Sequence, residues 1–223
     1  VSAVVSVARI LLLEPGMRLY DYLPSANGYK VRTLLKQLGL AYELVPVDIF
    51  AGESHTAEFH AKNPDGRIPV LEPEPGRFLA ESNAILLFLA ESTRLLPEDR
   101  FARAQVHQWM FFEQNTVEPN LGTARFWLLT GRQPPESHVL QSRVQGGERA
   151  LAAMERHLGR HAFLVEERYT VADLCLFAYT HLAPDAGVDL MPYPSVLAWM
   201  ERVKAQPGFL GPLPPYSANA RVR

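Results

Sequence analysis

The sequence has a single cysteine, Cys175, among 223 residues. That excludes an internal disulfide framework, a zinc site built on thiolates and a CxxC redox pair. It also has no excess of charge of either sign: 22 Lys and Arg stand against 24 Asp and Glu, a formal net charge of −2. Such a balance gives no electrostatic footprint for nucleic acid. Glycine is scarcer than proline, 14 against 18, so the chain reads as many short punctuated elements, without repeats or low-complexity tracts. Nowhere does it offer the run of about 20 apolar residues that a membrane helix needs. The nearest approach, VSAVVSVARILLLEPG at 1–16, is interrupted by Arg9 and ended by Glu14-Pro15-Gly16. No basic residue precedes its apolar part, as a signal peptide would require. Residues 1–16 are therefore expected to be a disordered leader or a misassigned start, with Met17 as the natural beginning and the cytoplasm as the location. What is present is globular: 48% hydrophobic and 21% charged residues, in a chain long enough to bury roughly 70% of its unfolded surface.

Two patterns divide the chain. Over 17–94 it alternates. Met17–Tyr22 reads as a strand, and Asn27–Leu38 as a helix with Val31, Leu34, Leu35 and Leu38 on one face and Gly39 as its stop. Tyr42–Val47 reads as a second strand and 54–62 as a short helix. Ile68–Leu71 and Arg77–Ala80 read as two strands around a turn, and Ser82–Glu91 as a helix. The βαβ part demands a parallel pair and the last two strands an antiparallel one, giving a small mixed sheet with helices on both faces. After a linker at 92–99 the strand pattern vanishes. Residues 100–130 form a long helix or a helix pair, and 136–158 a helix with Leu151, Met154 and Leu158 in step. Thr170–His181 and Pro194–Lys204 are shorter helices. Thr170-Val171-Ala172-Asp173 opens the third of these as a capping box. Pro207–Arg223 reads as an irregular tail.

The first part resembles the thioredoxin-like domain of glutathione transferases. The residues that carry the likeness are the strand MRLYDY followed by Pro24-Ser25-Ala26-Asn27-Gly28-Tyr29-Lys30-Val31-Arg32, then Asn63-Pro64-Asp65-Gly66-Arg67-Ile68-Pro69-Val70-Leu71, then Glu81-Ser82. The all-helical second part and its capping box fit the same architecture. The resemblance covers residues 17 to about 210. It implies an α/β thioredoxin-like N-terminal domain at 17–94 and an all-α helical C-terminal domain at 100–210. It further implies glutathione as co-substrate, a small electrophile as partner, a homodimer, and neither metal, nucleic acid nor membrane.

The resemblance makes Ser25 the first candidate for the hydroxyl that holds the glutathione sulfur, with Asn27 second and Tyr22 third. A helix N-terminus offers orphan N–H groups and partial positive charge, and a hydroxyl there can donate to a sulfur anion. Ser25 and Asn27 are equally good helix N-caps, so capping alone does not separate them. By the same likeness the Ile68–Pro69 bond is cis, and Ile68 pairs through its backbone with the tripeptide as with an added strand. Arg67 meets the glycyl carboxylate. Glu81 takes the γ-glutamyl ammonium, and Ser82 at a helix start takes its carboxylate. Ser54 and His55 stand where relatives place a further polar contact. The electrophile pocket is expected between the domains, with Arg125 and Trp127 of Gly122-Thr123-Ala124-Arg125-Phe126-Trp127 on its wall. The structural alternative for that pair is core packing. His107, His138, His157, His161 and His181 show no metal-ligand spacing, and Cys175 reads as a small core residue.

Conjugation of glutathione to an electrophile is the first functional reading. Glutathione-dependent disulfide or peroxide reduction is the second, and a non-catalytic binding module of the same fold the third. An isomerase of the superfamily fits less well, because Ser25-Ala26 departs from the Ser-Ser pair expected there.

Overall fold

A computed structural model describes residues 16–221; the expectations for the leader before Gly16 lie outside the described residues. The chain divides into two compact units.

In the first unit, β1 (Arg18–Asp21) leads into α1 (Ala26–Leu38), and β2 (Glu43–Pro46) follows. A 3-10 turn (Glu53–His55) and a single-turn helix α2 (Ala57–His60) precede β3 (Val70–Glu74), β4 (Arg77–Leu79) and α3 (Ser82–Ala90). The four strands form one sheet in the order β2-β1-β3-β4, with β1 parallel to β2 and the other pairs antiparallel. Tyr20, Val47, Phe59 and Val70 make the core on one face. Leu19 and Leu71, offset by one residue along their strands, point to the other. Helices α1 and α3 pack together, and Val31, Leu34 and Leu35 on the one and Ile85 and Leu86 on the other are fully buried. Burial of each such side chain is worth about 1.5–3 kcal/mol. Gly39 ends α1 in the left-handed conformation and returns its N–H to the helix.

Strand β3 begins two residues later than its sequence suggests and runs on through Pro73. Proline has no N–H for the ladder, and the pairing with β4 is irregular between Leu71 and Glu74, where Pro73 sits. The hairpin turn therefore shrinks to Pro75-Gly76, with Gly76 at φ 79° donating its N–H to the Glu72 carboxylate at 2.7 Å. Burial alone would raise Glu72; the Gly76 N–H, the Tyr20 hydroxyl and Arg18 outweigh it and hold the carboxyl below its ordinary value.

The tail is irregular, as its composition implies, but Pro207–Pro215 belong to the first unit. Phe209 lies edge-on to Tyr29, whose hydroxyl donates to the Leu210 carbonyl at 2.9 Å. Burial pushes that hydroxyl's pKa up to about 12. Gly208, at φ 76°, lies so close to Gln37 that a Cβ would stand 3.0 Å from its Cα.

The second unit is helical apart from one isolated bridge, Val165 to Arg168, among the described residues. Helix α4 (Arg100–Phe112) runs into a π-helical stretch (Glu113–Gly122) and then α5 (Thr123–Thr130). The chain takes the helix-pair form of the expectation for 100–130, and the break between the two helices has a cause: Pro119 inside the stretch lacks an N–H and displaces the preceding turn. Asn120 donates its side-chain amide to the Thr116 carbonyl at 2.7 Å. Helix α6 (His138–Leu158) buries Leu151, Met154 and Leu158 as expected. Helix α7 (Val171–Thr180) is buried at every position, and α8 (Pro194–Lys204) packs against it. The capping box is present. Asp173 accepts from Thr170 N at 2.9 Å, Thr170 Oγ1 at 3.1 Å, Leu164 N at 3.0 Å and Trp199 Nε1 at 2.9 Å. Complete burial still pushes its pKa up to about 6. Cys175 is a buried thiol outside any disulfide, and its Sγ donates to Glu113 Oε2 at 3.4 Å.

Candidate functional site

Three segments far apart in sequence reach one end of the first unit's sheet. Tyr20 pairs with Val70 and Leu71 with Leu79. Antiparallel pairing therefore puts the exit of β1, the entrance of β3 and the exit of β4 side by side. These carry Ser25 and Asn27, Ile68 and Pro69, and Glu81 and Ser82 respectively.

Ser25 is the N-cap of α1. Its backbone is extended, its N–H donates to Tyr22 O at 2.7 Å, and its Oγ accepts from Gly28 N at 3.3 Å. The Ser25–Asn27 question is thus settled for capping only. Below the loop, buried Asp21 pairs with Arg32 of α1, which also donates to the Leu23 carbonyl at 2.7 Å. Burial draws the Arg32 pKa down to about 10. Gly28 lies directly against the Asp21 carboxylate, in space a Cβ would need. Tyr22 is buried, with its ring edge-on to Phe50.

Asn27 is half-buried, and its Oδ1 accepts from Ser82 Oγ at 3.1 Å. Ser82 is not the N-cap of α3. Glu81 holds that position without a side-chain cap bond, and Ser82 is the first helical residue, 5% exposed. Its hydroxyl is turned toward α1, where it also receives Lys30 Nζ at 3.4 Å. Lys30 is fully buried and reaches Asn83 Oδ1 at 3.4 Å as well. Glu81 itself is exposed at φ 67°, ψ 110°, a backbone conformation that costs about 1–3 kcal/mol in a non-glycine residue.

The Ile68–Pro69 peptide bond is cis. Among the described residues no hydrogen bond takes the backbone N–H or C=O of Ile68. Before it, buried Asn63 ties the loop, donating to the Arg67 carbonyl at 2.8 Å and accepting from Asp65 N at 3.1 Å. The Arg67 side chain is exposed and paired with Asp65 at 2.7 Å. His60, His55 and the Ser54 carbonyl crowd Gly66, each within 3.0 Å of where a Cβ would stand. Ser54 and His55 thus reach the loop that carries Arg67.

In the second unit, Arg125 is 4% exposed. Its guanidinium meets Asp185 at 3.1 Å and the Tyr216 hydroxyl at 2.9 Å, and lies over the Tyr216 ring. Trp127 is half-buried. The residues that sequence reasoning missed are Lys30, Asn63 and Asn83. Asn63 had a signal, an Asn two residues before an Asp in a Gly-containing turn. Lys30 had none, because a lysine in an amphipathic helix is expected to face water.

The arrangement gathers a helix N-terminus, a hydroxyl and a carboxamide, a second helix start with an acid beside it, and a free strand-like edge. Two family models match in the same order: the glutathione S-transferase N-terminal domain over residues 15–91 and its C-terminal domain over 119–207. The chain belongs to the glutathione S-transferase family. Glutathione S-transferase 3 of Zea mays is 33% identical over 217 residues, covering 89% of this chain and 96% of that one. The disulfide-bond oxidoreductase YfcG of Escherichia coli is 30% identical over 193 residues, covering 83% and 89%. The crystal structure of a possible glutathione S-transferase from Rhodopseudomonas palustris superposes with a TM-score of 0.85 at 46% identity, covering 87% and 97%. As a member of this family the chain has the expected fold, a thioredoxin-like domain followed by a helical one.

Proposed function

We propose that the protein binds glutathione at the sheet end described above, holds its sulfur as thiolate at the start of α1, and transfers it to a small electrophile. The observation that carries this reading is the Ser82–Asn27 hydrogen bond, which joins the helix start suited to the thiol with the one suited to the γ-glutamyl group. A thiol titrates near 8.5, so only a few per cent is ionised at neutral pH. The N–H groups and partial positive charge of the α1 N-terminus favour the anion. Ser25 Oγ receives the Gly28 N–H on a lone pair, which leaves its own proton to donate to sulfur. Asn27 supplies a second donor. Ile68 pairs with the tripeptide backbone, Glu81 takes the ammonium, the backbone N–H groups at the start of α3, that of Ser82 among them, take the α-carboxylate, and Arg67 turns from Asp65 to the glycyl carboxylate. The thiol proton leaves to solvent. The sulfur lone pair forms a C–S bond, and the leaving group departs with its electron pair. Trp127 stacks on the electrophile. Arg125 braces that wall, and an anionic substrate would share its guanidinium with Asp185 and Tyr216. The working form is a homodimer, which gel filtration checks.

Disulfide reduction is the second reading, supported by the Ser25-Ala26-Asn27 loop and by similarity to a disulfide-bond oxidoreductase; with no cysteine in that loop, glutathione supplies both thiols. There the thiolate attacks a disulfide sulfur and displaces one thiolate. A second glutathione then resolves the mixed disulfide, releasing the other thiol and oxidised glutathione. Calorimetric titration with reduced glutathione tests both: saturation near one per chain is expected, and no binding at millimolar ligand overturns both. Parallel assays with an aryl halide and a small disulfide separate them. Ser25→Ala is expected to lower kcat/KM about 100-fold, as for loss of one preorganised donor to a developing anion; an unchanged pH–rate profile would remove Ser25 from the chemistry.

A further inference from the structure

We propose that Lys30 is a positioning residue for the thiolate: through Ser82 it fixes which end of the Asn27 carboxamide faces the sulfur. This rests on the glutathione reading above and names the residue that orients one of its donors. Lys30 lies in the middle of α1, on the face packed against α3, with no exposed surface. Lysine is among the side chains least often fully buried, and burial of an ammonium is costly. Packing α1 on α3 calls for a long side chain at this point, which methionine would also supply, so the charge needs its own explanation.

The explanation lies in donors and acceptors. An ammonium has three protons and no lone pair. Ser82 Oγ, 3.4 Å from Lys30 Nζ, therefore accepts there and keeps its single proton for another partner. That partner is Asn27 Oδ1 at 3.1 Å. Asn83 Oδ1, also 3.4 Å from the ammonium, holds it from the next residue of α3. With its oxygen fixed by Ser82, the Asn27 carboxamide turns its Nδ2 protons the other way, and no partner takes them among the described residues. Without the ammonium, Ser82 is free to turn its proton elsewhere and the carboxamide is free to flip. A flipped carboxamide presents an oxygen to the thiolate, which repels it. Lys30 touches neither glutathione nor the reacting sulfur; it acts through Ser82 and Asn27.

The experiment follows the ultraviolet absorbance of glutathione thiolate bound to the full-length protein as a function of pH, in the wild type, Lys30→Met and Lys30→Arg. Affinity for S-methylglutathione, which has no thiol to ionise, reports binding alone. Lys30→Met is expected to raise the pKa of the bound thiol by about one unit, about tenfold less thiolate at neutral pH, while its S-methylglutathione affinity stays close to that of the wild type. Lys30→Arg is expected to restore a low thiol pKa. A folded Lys30→Met protein with an unshifted thiol overturns the proposal, as does one that loses S-methylglutathione affinity as fully as glutathione affinity. The wild type supplies a test that needs no variant at Lys30. In nitrogen-15-labelled protein the Asn27 side-chain N–H resonances, assigned by their loss in Asn27→Asp, are expected to shift with glutathione thiolate and not with S-methylglutathione; unmoved resonances overturn the proposal. A wild type that binds neither ligand instead overturns the glutathione reading itself.

Discussion

Two buried polar networks, one from each unit, are built to opposite plans. In the helical unit Asp173 collects four donors from Thr170, Leu164 and Trp199, all drawn within reach by packing of α7 on α8. In the thioredoxin-like unit Lys30, Ser82 and Asn27 form a line that starts in the core and ends at the half-buried start of α1 with a carboxamide donor to spare. A closed network spends every hydrogen-bonding group on the fold, whereas an open one delivers a group to its surface. Closure, more than burial or charge, separates the structural network from the candidate site.

The largest effect expected from breaking this contrast is at Asp173. Asp173→Ala leaves the Trp199 indole N–H and two backbone N–H groups buried without their acceptor, and is expected to cost about 3–5 kcal/mol in urea denaturation, as for removal of one member of a buried polar pair. Loss of less than about 1 kcal/mol would mean that water replaces the carboxylate and that the network is not closed.

The next effect is in pH dependence within the helical unit. Burial draws the His181 pKa down to about 4, while its Nδ1 meets the Phe177 carbonyl and its ring stacks on Phe177. Its ordinary value is near 6.5. The unfolded chain therefore binds a proton at His181 before the native state does, so its contribution to stability is present above about 6.5 and is lost as pH falls toward 4. Asp173 has the opposite sign. With a native pKa near 6 its contribution is complete below the unfolded value and is lost as pH rises through 6. Replacing His181 isolates one of them: His181→Leu is expected to lose about 1–2 kcal/mol less stability than the wild type between pH 7 and pH 5. Parallel stability curves for the two proteins would show that His181 does not titrate across the window.

The smallest effect sharpens the open network at its exposed end. Glu81 stands at positive φ beside Ser82. Glu81→Ala is expected to weaken glutathione binding about tenfold in calorimetry, close to 1.4 kcal/mol. Glu81→Gly is expected to weaken it equally while raising stability by about 1 kcal/mol, because glycine relieves the backbone. A glycine variant that gains no stability would mean that the conformation is not strained.

The comparison also marks what the sequence could say. Closed features are written locally: the period of α1, its Gly39 stop, the capping box at Thr170–Asp173 and the inward face of α6 each lie within one stretch of chain. Ser25, Asn27, Ile68, Pro69, Glu81 and Ser82 were legible as candidates because a family likeness supplied the partners that local pattern does not. Features fixed by distant contacts were not legible. Ser82 reads as an N-cap because N-capping is the local preference for serine, yet its hydroxyl is claimed by residues 52 and 55 positions away. Lys30 reads as solvent-facing because only the arrival of α3 makes its position interior. Residues 100–130 read as a long helix or a helix pair, but whether the chain turns at Pro119 or takes up a π-helical stretch depends on what packs there, and α6 packs on it closely enough that a Cβ at Gly146 would stand 2.2 Å from Asn120 Oδ1.

The return of Pro207–Pro215 to α1 bears on how the protein is made. The ribosome delivers the N-terminal unit's strands and helices long before it delivers the residues that cover Tyr29 and Gln37. A nascent chain halted in the linker thus carries a complete sheet with an uncapped flank, and folding of the first unit ends only after residues 97–206 of the second have been made. Cutting the gene at the linker does not isolate the first unit. It removes a piece of it, and an expression fragment meant to contain the whole glutathione-binding half has to be redrawn with that distant segment grafted on.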